Sequence, residues 1–463
     1  MAIDPADLRA TVERDFPTTR GELASLIAIP GCDFPGHDRN ELTRCAALCG
    51  EQLDAAGFPR VEQFVVPDAP PYICARDHRA GPDRPTLLLY AHYDVQPPLD
   101  PALWASPPFT ATERDGRLYG RGSCDDKAAI ALHAAAYRVA RSQKDTLPVN
   151  LTVIVEGEEE TGSPHLAAML AAHQAGLAAD AVVVPDVPTL ATGVPCMVTS
   201  LRGLLVFDVT VRCLSGPVHN GLWGGALPDA GLILSRLIAG LADDHGQLDL
   251  PELQVSEVEG LCDPKVAPFD PAAFARDAGV LDPATLTDGP TTYRRLWTAP
   301  ALNISSLSVG GGPGGGGNVI NGEAHARIGL RIAPGMGVAR TRDAVERALH
   351  ARCPPGAQLA LVPEVSGAAW HCDPQHPFFD AARAALRTGF GREPLPVGCG
   401  ASIPFVHTIE TALDSPPILL LPVEDPLSNP HGIDESVHLG DLRATIASLA
   451  ALMIDGGWTG GDR

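Results

Sequence analysis

Residues 86–94 read TLLLYAHYD, an apolar run that ends in a histidine and an aspartate. A short apolar run of this kind is typical of a strand buried on both faces of a sheet. Similar runs follow at 149–155 (VNLTVIV) and 181–184 (AVVV), and the segments between them, 126–141 and 163–174, have the apolar spacing of helices. Strands that alternate with helices predict an α/β domain built on a mainly parallel sheet.

The pattern changes after residue 201 and returns near residue 377. Strands are predicted at 205–213, 302–309, 323–332 and 358–365, and helices at 228–243 and 340–351. This set predicts a smaller α+β domain with antiparallel strands, inserted into the first domain. A strand at 418–421 and a helix at 439–453 then resume the α/β pattern. We therefore expect a catalytic domain in two parts, 1–204 and 367–463, interrupted by a lid at 205–366.

Composition excludes several classes of partner. The 463 residues carry 34 Lys and Arg against 56 Asp and Glu, a net charge of -22. Such a chain repels phosphate backbones and anionic membranes, so neither nucleic acid nor a membrane is an expected partner. The eleven cysteines lack a CxxC pair, and the sequence shows neither a signal peptide nor the ~20 apolar residues of a membrane span. These features predict reduced thiols and a cytoplasmic location.

Polar residues follow each predicted strand of the first domain. They occur in 91–97 (AHYDVQP), 119–127 (YGRGSCDDK), 156–163 (EGEEETGS), 182–186 (VVVPD) and 429–435 (NPHGIDE). Each motif alone also fits a surface loop or a helix cap. Together they bring imidazoles and carboxylates to one edge of a sheet, where α/β sites lie. Such ligands suit zinc, manganese or cobalt, and two bridged ions can polarise a carbonyl and activate a shared water.

These five motifs, in this order, resemble the di-metal peptidase family that includes non-specific dipeptidase, carnosinase, glutamate carboxypeptidase, aminoacylase and succinyl-diaminopimelate desuccinylase; the dipeptidase branch is the most similar. The resemblance implies two divalent ions per chain, zinc being preferred over manganese or cobalt. It implies that His92 and Asp186 bind one ion, that Glu160 and His431 bind the other, and that Asp125 bridges the two. Glu159 is then the general base, and Asp94 is the carboxylate behind His92. It also implies a cis peptide between Asp125 and Asp126.

The predicted lid resembles the same family. Residues 215–225 (SGPVHNGLWGG) match a motif whose histidine reaches a partner subunit's site and stabilises the oxyanion, which implies a homodimer and gives that role to His219. The serine that usually follows is Asn220 here. Arg331 matches an arginine that binds the substrate carboxylate, and Ser402 matches a substrate-contacting serine. Asn318 stands where related dipeptidases carry threonine, and the histidine usual before Trp370 is absent.

The expected activity is hydrolysis of dipeptides or short peptides with a free C-terminal carboxylate, by a metal-bridging water that Glu159 activates. An N-acyl amino acid amidohydrolase or a carboxypeptidase with the same mechanism is the alternative, and a non-catalytic peptide-binding relative is a more remote one. Two other patterns are interpreted structurally. The GxGxxG at 310–315 lacks a following helix and predicts a turn. His371, Cys372 and His376 resemble a small zinc cluster, but Asp373 and Pro374 are predicted to start a helix at this domain boundary, so a cap and hinge are favoured.

Overall fold

The computed structural model describes residues 4–253, 261, 263, 265, 267–282, 286–310 and 317–458. Most of the glycine-rich 310–315 segment and Cys262 lie outside these residues. The strands are β1 (Arg60–Phe64), β2 (Tyr72–Asp77), β3 (Thr86–His92), β4 (Thr112–Arg114), β5 (Arg117–Tyr119), β6 (Asn150–Glu156), β7 (Ala181–Val184), β8 (Cys196–Leu201), β9 (Gly203–Arg212), β10 (Val218–His219), β11 (Ala301–Val309), β12 (Val319–Ile320), β13 (Glu323–Ile332), β14 (Gln358–Gly367), β15 (Trp370–His371), β16 (Leu395–Cys399), β17 (Ile418–Leu420) and β18 (Ser436–His438). The helices are α1 (Pro5–Ile27), α2 (Arg39–Ala55), α3 (Lys127–Gln143), α4 (Leu166–Leu177), α5 (Asn220–Trp223), α6 (Ala230–Ala239), α7 (Pro271–Asp277), α8 (Gly289–Trp297), α9 (Val338–Arg352), α10 (Pro377–Phe390), α11 (Pro404–Ala412) and α12 (Leu439–Asp455).

The largest sheet is parallel at its centre and antiparallel towards its edges. Its order is β1-β2-β6-β3-β7-β17-β8-β15, with β16 paired to β8. The pairs β6/β3, β3/β7 and β7/β17 are parallel, whereas β1/β2 and β2/β6 are antiparallel. Every residue of β6 and β7 is buried, so helices or loops cover both faces of these strands, as the apolar runs predict. The predicted α/β fold class is confirmed.

Helices α1, α3, α10 and α12 pack against one another beside this sheet, and α4 packs against α11. The prediction that the helix after β6 begins near residue 163 is wrong, because α4 begins at Leu166. Gly162 and Ser163 both have positive φ, so the chain turns sharply before the helix. The Ser163 hydroxyl donates to Glu156 Oε1, 3.0 Å away, instead of capping α4.

A second, four-stranded sheet has the order β11-β13-β9-β14, and all its pairs are antiparallel, as predicted. Alternate residues of β13 are buried, which is the pattern of a sheet with one face on a core. That face packs on α6 and α9, and its buried side chains form a hydrophobic cluster of their own. Two short helices, α7 and α8, lie in the 245–300 region, for which the sequence predicted no element.

The described cysteines are all free, in agreement with the predicted reduced thiols. Cys124 is fully buried, and burial raises the pKa of its thiol well above the usual value, so it packs in the core and is not a nucleophile. Within the described part of the chain, no helix is both long and apolar enough to cross a lipid bilayer.

Candidate metal centre and substrate cleft

The five predicted metal ligands lie beyond the carboxyl ends of the central strands. His92 is the last residue of β3, Asp186 follows β7, and Glu160 lies in a turn of 3-10 helix directly after β6. Asp125 precedes α3, and His431 lies in the loop between β17 and β18. Because β6, β3, β7 and β17 are neighbouring parallel strands, their carboxyl ends meet at one edge of the sheet and bring these side chains together.

Two groups of side chains that could hold a metal ion share one aspartate. The first group is His92, Asp125 and Asp186, and the second is Asp125, Glu160 and His431; within each group the ligand atoms lie within 4.8 Å of one another. Asp125 Oδ1 lies 3.2 Å from His92 Nε2, and Asp125 Oδ2 lies 2.9 Å from His431 Nε2. Each oxygen of Asp125 therefore faces a different group, which is the arrangement of a bridging carboxylate.

A buried ion pair holds the backbone around Asp125. The guanidinium of Arg121 donates to Glu435 Oε2 at 2.5 Å, and Glu435 Oε1 accepts from the backbone N–H of Cys124 at 3.1 Å. The peptide bond between Asp125 and Asp126 is cis, which confirms that expectation. Arg121 and Glu435 are both buried and more than 300 residues apart, and the sequence analysis assigned neither a role.

Asp94 orients both His92 and the glutamate turn. His92 Nδ1 lies 3.1 Å from the backbone oxygen of Asp94 and 3.4 Å from its Oδ1. These acceptors keep the proton on Nδ1 of a neutral imidazole and leave Nε2 to a metal. The carboxylate of Asp94 also accepts from the backbone N–H groups of Glu159 and Glu160, at 3.1 and 2.9 Å. Asp94 therefore holds in place both His92, at the end of β3, and the glutamate turn that follows β6.

The turn that carries Glu159 and Glu160 depends on a close contact. The ring of Tyr93 lies against Gly157, where an added Cβ would come within 2.2 Å of it, so only glycine fits. Gln96, which the sequence analysis gave no role, donates to Glu160 from its backbone N–H at 3.1 Å and from Nε2 at 2.8 Å. Glu159 belongs to neither metal group, and its Oε2 lies 4.0 Å from His92 Nε2.

Buried negative charge dominates the electrostatics of the site. Burial raises the pKa of Asp186 to about 7, and the charge of Asp125 adds to this rise. Burial also raises the pKa of Glu159 well above the usual range, and the charge of Asp186 reinforces the effect. Burial opposes ionisation of Asp125, but the neighbouring imidazoles of His431 and His92 outweigh it and hold its pKa below the usual range. Bound cations would stabilise these carboxylates in their charged form.

One buried atom indicates a ligand from outside the chain. His92 Nε2 is fully buried and forms no hydrogen bond to the described residues, although a carboxylate oxygen lies near it. With its proton on Nδ1, the neutral His92 ring directs the lone pair of Nε2 at the negatively charged Asp125 oxygen. A cation bound between these two atoms would make the arrangement favourable. Two imidazoles and three carboxylates are a donor set that suits zinc, manganese or cobalt. The residues therefore fit a pair of divalent ions.

The predicted substrate-binding residues fall into two places. Arg331, near the end of β13, donates from Nη1 to Ser402 Oγ at 2.7 Å, so these two predicted residues are in contact. His219 is exposed, and its Nδ1 accepts from the N–H of Gly221 at 3.1 Å. The exposed Asn318 lies beside it, since its backbone oxygen accepts from Asn220 N–H at 2.9 Å. Within the described ranges, no hydrogen bond or ion pair joins His219 to the five candidate ligands.

Two further histidine-containing clusters have structural roles. Asp425, His438 and Asp441 are close enough to hold an ion, but both oxygens of Asp425 accept from Arg117, at 2.7 and 2.8 Å. His376 caps α10 by accepting from Phe378 N–H at 3.2 Å, and the helix begins at Pro377, not at the predicted Asp373 and Pro374.

The sequence matches a known family over most of its length. The model of "Peptidase family M20/M25/M40" matches residues 88–455. The cysteinylglycine-S-conjugate dipeptidase of Corynebacterium striatum is 34% identical over 365 residues, which is 77% of each chain. The Cys-Gly metallodipeptidase dug1 of Schizosaccharomyces pombe is 27% identical over 83% of this chain and 82% of its own. The human beta-Ala-His dipeptidase is 26% identical over 86% of this chain and 82% of its own.

Solved structures share the fold. The di-peptidase Dug1p from Saccharomyces cerevisiae superposes with a TM-score of 0.82 at 23% identity, covering 99% of this chain and all of that chain. Human carnosine dipeptidase 1 gives a TM-score of 0.81 at 24% identity, with 98% of each chain covered.

Proposed function

The chain belongs to peptidase family M20/M25/M40, and from that premise we propose that it hydrolyses the peptide bond of dipeptides and short peptides in a metal-dependent reaction. The observation that carries this proposal is the pair of ligand groups that share Asp125, with Glu159 beside them. The relatives described above are named as dipeptidases, which supports the substrate class.

Each side chain of the site has one proposed role. His92 and Asp186 hold one ion, Glu160 and His431 hold the other, and Asp125 holds both. When bound, such ions polarise the carbonyl of the scissile bond and lower the pKa of water. Zinc is the proposed metal, with manganese or cobalt as alternatives, because imidazole and carboxylate ligands suit all three ions.

The proton transfers are assigned to Glu159. This carboxylate accepts a proton from the attacking water and delivers it to the nitrogen of the leaving amine. Asp94 keeps His92 and the Glu159 turn in place, through the contacts described above. The His431 side chain is half-exposed, so the metal centre is open to solvent beside His431. The substrate is proposed to approach from that direction.

The substrate's C-terminal carboxylate is assigned to Arg331, with Ser402 as a further contact. Asn318 is proposed to contact the substrate from the place that it shares with His219. Arg331 is half-buried and donates to the neutral Ser402. Among the described residues it has no acidic partner within ion-pair distance, although the chain as a whole is acidic. A guanidinium in that position is free to bind a carboxylate with two parallel hydrogen bonds.

Arg331→Lys is expected to abolish most of the preference for a free C-terminal carboxylate, because an ammonium cannot reproduce the two-pronged contact. The measurement compares kcat/KM for a dipeptide and for its C-terminal amide. Wild type should prefer the acid by at least ~10-fold, the scale of a charged hydrogen bond. Arg327→Lys is the matched control, because Arg327 lies on the same strand and pairs with Glu364. Equal cleavage of acid and amide by wild type would exclude this carboxylate site.

The lid, residues 205–366, is proposed to be inserted between the two catalytic segments, 1–204 and 367–463. We propose that the lids of two copies of the chain pair to form a homodimer. Exposed apolar side chains support this proposal. Leu222 and Trp223 follow His219 closely, and they are 77% and 50% exposed. Ile304 and Leu307 are each 49% exposed on β11, which is an edge strand of the lid sheet. Unpaired strand edges and exposed apolar groups favour association.

In this dimer, His219 is proposed to enter the partner's site and stabilise the oxyanion. His219→Ala and Glu159→Gln should each lose at least ~10²-fold in kcat. A heterodimer of the two variants contains one site with both groups intact, so a random mixture should recover up to about a quarter of wild-type activity. Activity is measured after subunit exchange, which is followed separately by mass labelling. Complete exchange without recovery would remove His219 from the partner's site.

A cytoplasmic location is also proposed, on the support of the free cysteines among the described residues.

A further inference from the structure

Glu424 is a largely buried residue beside the metal ligands. It is 7% exposed and lies in the loop after β17. Across the described residues, its carboxylate forms neither a hydrogen bond nor an ion pair. A buried, unpaired carboxylate is costly, so its retention points to a group that binds it in the working protein.

The backbone places Glu424 next to a metal ligand. Parallel strands β7 and β17 are paired up to Val184 and Leu420. The pairing continues beyond the strands, because Pro188 and Glu424 form a parallel bridge and Thr189 N–H donates to the Glu424 backbone oxygen at 2.9 Å. Asp186 therefore lies two residues before the partner of Glu424, at the edge where the metal ligands converge.

The metal ligands are the nearest charged groups on this side of Glu424. The backbone pairing with the loop that follows Asp186 places Glu424 beside them. Burial raises the pKa of Glu424 well above the usual range, and the charges of Asp125 and Asp186, which belong to the metal groups, add to this rise.

Two ionisable side chains of opposite type lack an ion-pair partner among the described residues. Arg331 has no acidic partner and Glu424 has no basic partner among the residues that the structure describes. A dipeptide is a zwitterion with an ammonium group at one end and a carboxylate at the other, so it supplies a partner for each. An N-acyl amino acid supplies only the carboxylate.

We infer that Glu424 binds the α-ammonium group of the substrate and so selects peptides with a free N-terminus over N-acyl amino acids. The inference rests on the proposed function and deepens it, because it separates a dipeptidase from an acyl amino acid hydrolase. Glu424 is then a specificity-determining residue that contacts the substrate away from the scissile bond.

The test uses two substrates of nearly the same shape, alanyl-alanine and N-propionyl-alanine, which lacks only the ammonium group. Wild type should have the higher kcat/KM for alanyl-alanine. Glu424→Gln should reduce the ratio of the two kcat/KM values by about 10- to 100-fold, the scale of a charged hydrogen bond. The loss should lie mainly in KM for alanyl-alanine, with N-propionyl-alanine unaffected and the metal content unchanged. Glu410→Gln, at a partly buried position of α11, is the matched control and should keep the wild-type ratio.

Several results would overturn the inference. An unchanged ratio, or an equal loss for both substrates, would make Glu424 a structural residue. Loss of an ion from Glu424→Gln would make it a metal ligand. Wild type that cleaves both substrates equally well would exclude the ammonium site even if the variant did not fold. Wild type that cleaves only N-propionyl-alanine, or neither substrate, would instead contradict the proposed function, and the inference would fall with it.

Discussion

Glu159→Gln is expected to lower kcat for dipeptide hydrolysis by at least ~10²-fold, the scale of general-base catalysis, and to leave two metal ions bound per chain. Glutamine keeps the shape of the side chain but cannot accept a proton from the attacking water. Glu159 lies outside both metal groups, so its replacement removes no ligand. Steady-state kinetics and elemental analysis of the same preparation measure the two quantities.

The neighbouring residue provides the matched control for this result. Glu160→Gln should lose one of the two ions, because Glu160 Oε2 lies 3.2 Å from His431 Nε2 within the second metal group. Two adjacent and chemically identical substitutions are thus expected to fail in different ways. If Glu159→Gln lost an ion and Glu160→Gln kept both, the assigned roles of the two glutamates would have to be exchanged.

Asp125→Ala is expected to remove both ions and with them all measurable hydrolysis. Its two oxygens face His92 and His431, one from each group, so no other ligand replaces it on either side. Asp441→Asn is the control and should keep both ions. Asp441 belongs to the separate cluster with Asp425 and His438, in which Arg117 already pairs with Asp425. Elemental analysis after removal of free metal decides the result, with circular dichroism to establish that each variant is folded. Retention of two ions by Asp125→Ala would exclude a bridging role.

The fold and much of the site could be predicted because local patterns carry them. The apolar runs at 86–90 and 181–184 can bury themselves only as central strands, and parallel strands place the residues that follow them at one edge. His92 and Asp186 therefore converge for a reason that the sequence already contains. The antiparallel lid sheet is equally readable from the alternation in β13.

The remaining features depend on contacts between distant residues, which no spacing reveals. Glu435 is 314 residues from Arg121, and nothing near either residue indicates the pair. Gln96 acts on Glu160 across 64 residues. Ser163 has the features of a helix cap, yet its hydroxyl bonds to Glu156, seven residues earlier, and α4 begins three residues later, so a requirement of the site prevails over the preference for a cap. Glu424 is recognisable only by its burial and by the lack of a partner among the residues that the structure describes.

The central claim is that this chain is a dipeptidase whose activity requires two metal ions per site. Titration of the metal-free protein with zinc, with alanyl-alanine hydrolysis followed at each addition, tests it most directly. The account predicts that activity reaches its plateau at two equivalents of zinc per chain and that the metal-free protein is inactive. Full activity without metal, or a plateau at a single equivalent with no second ion bound, would contradict it.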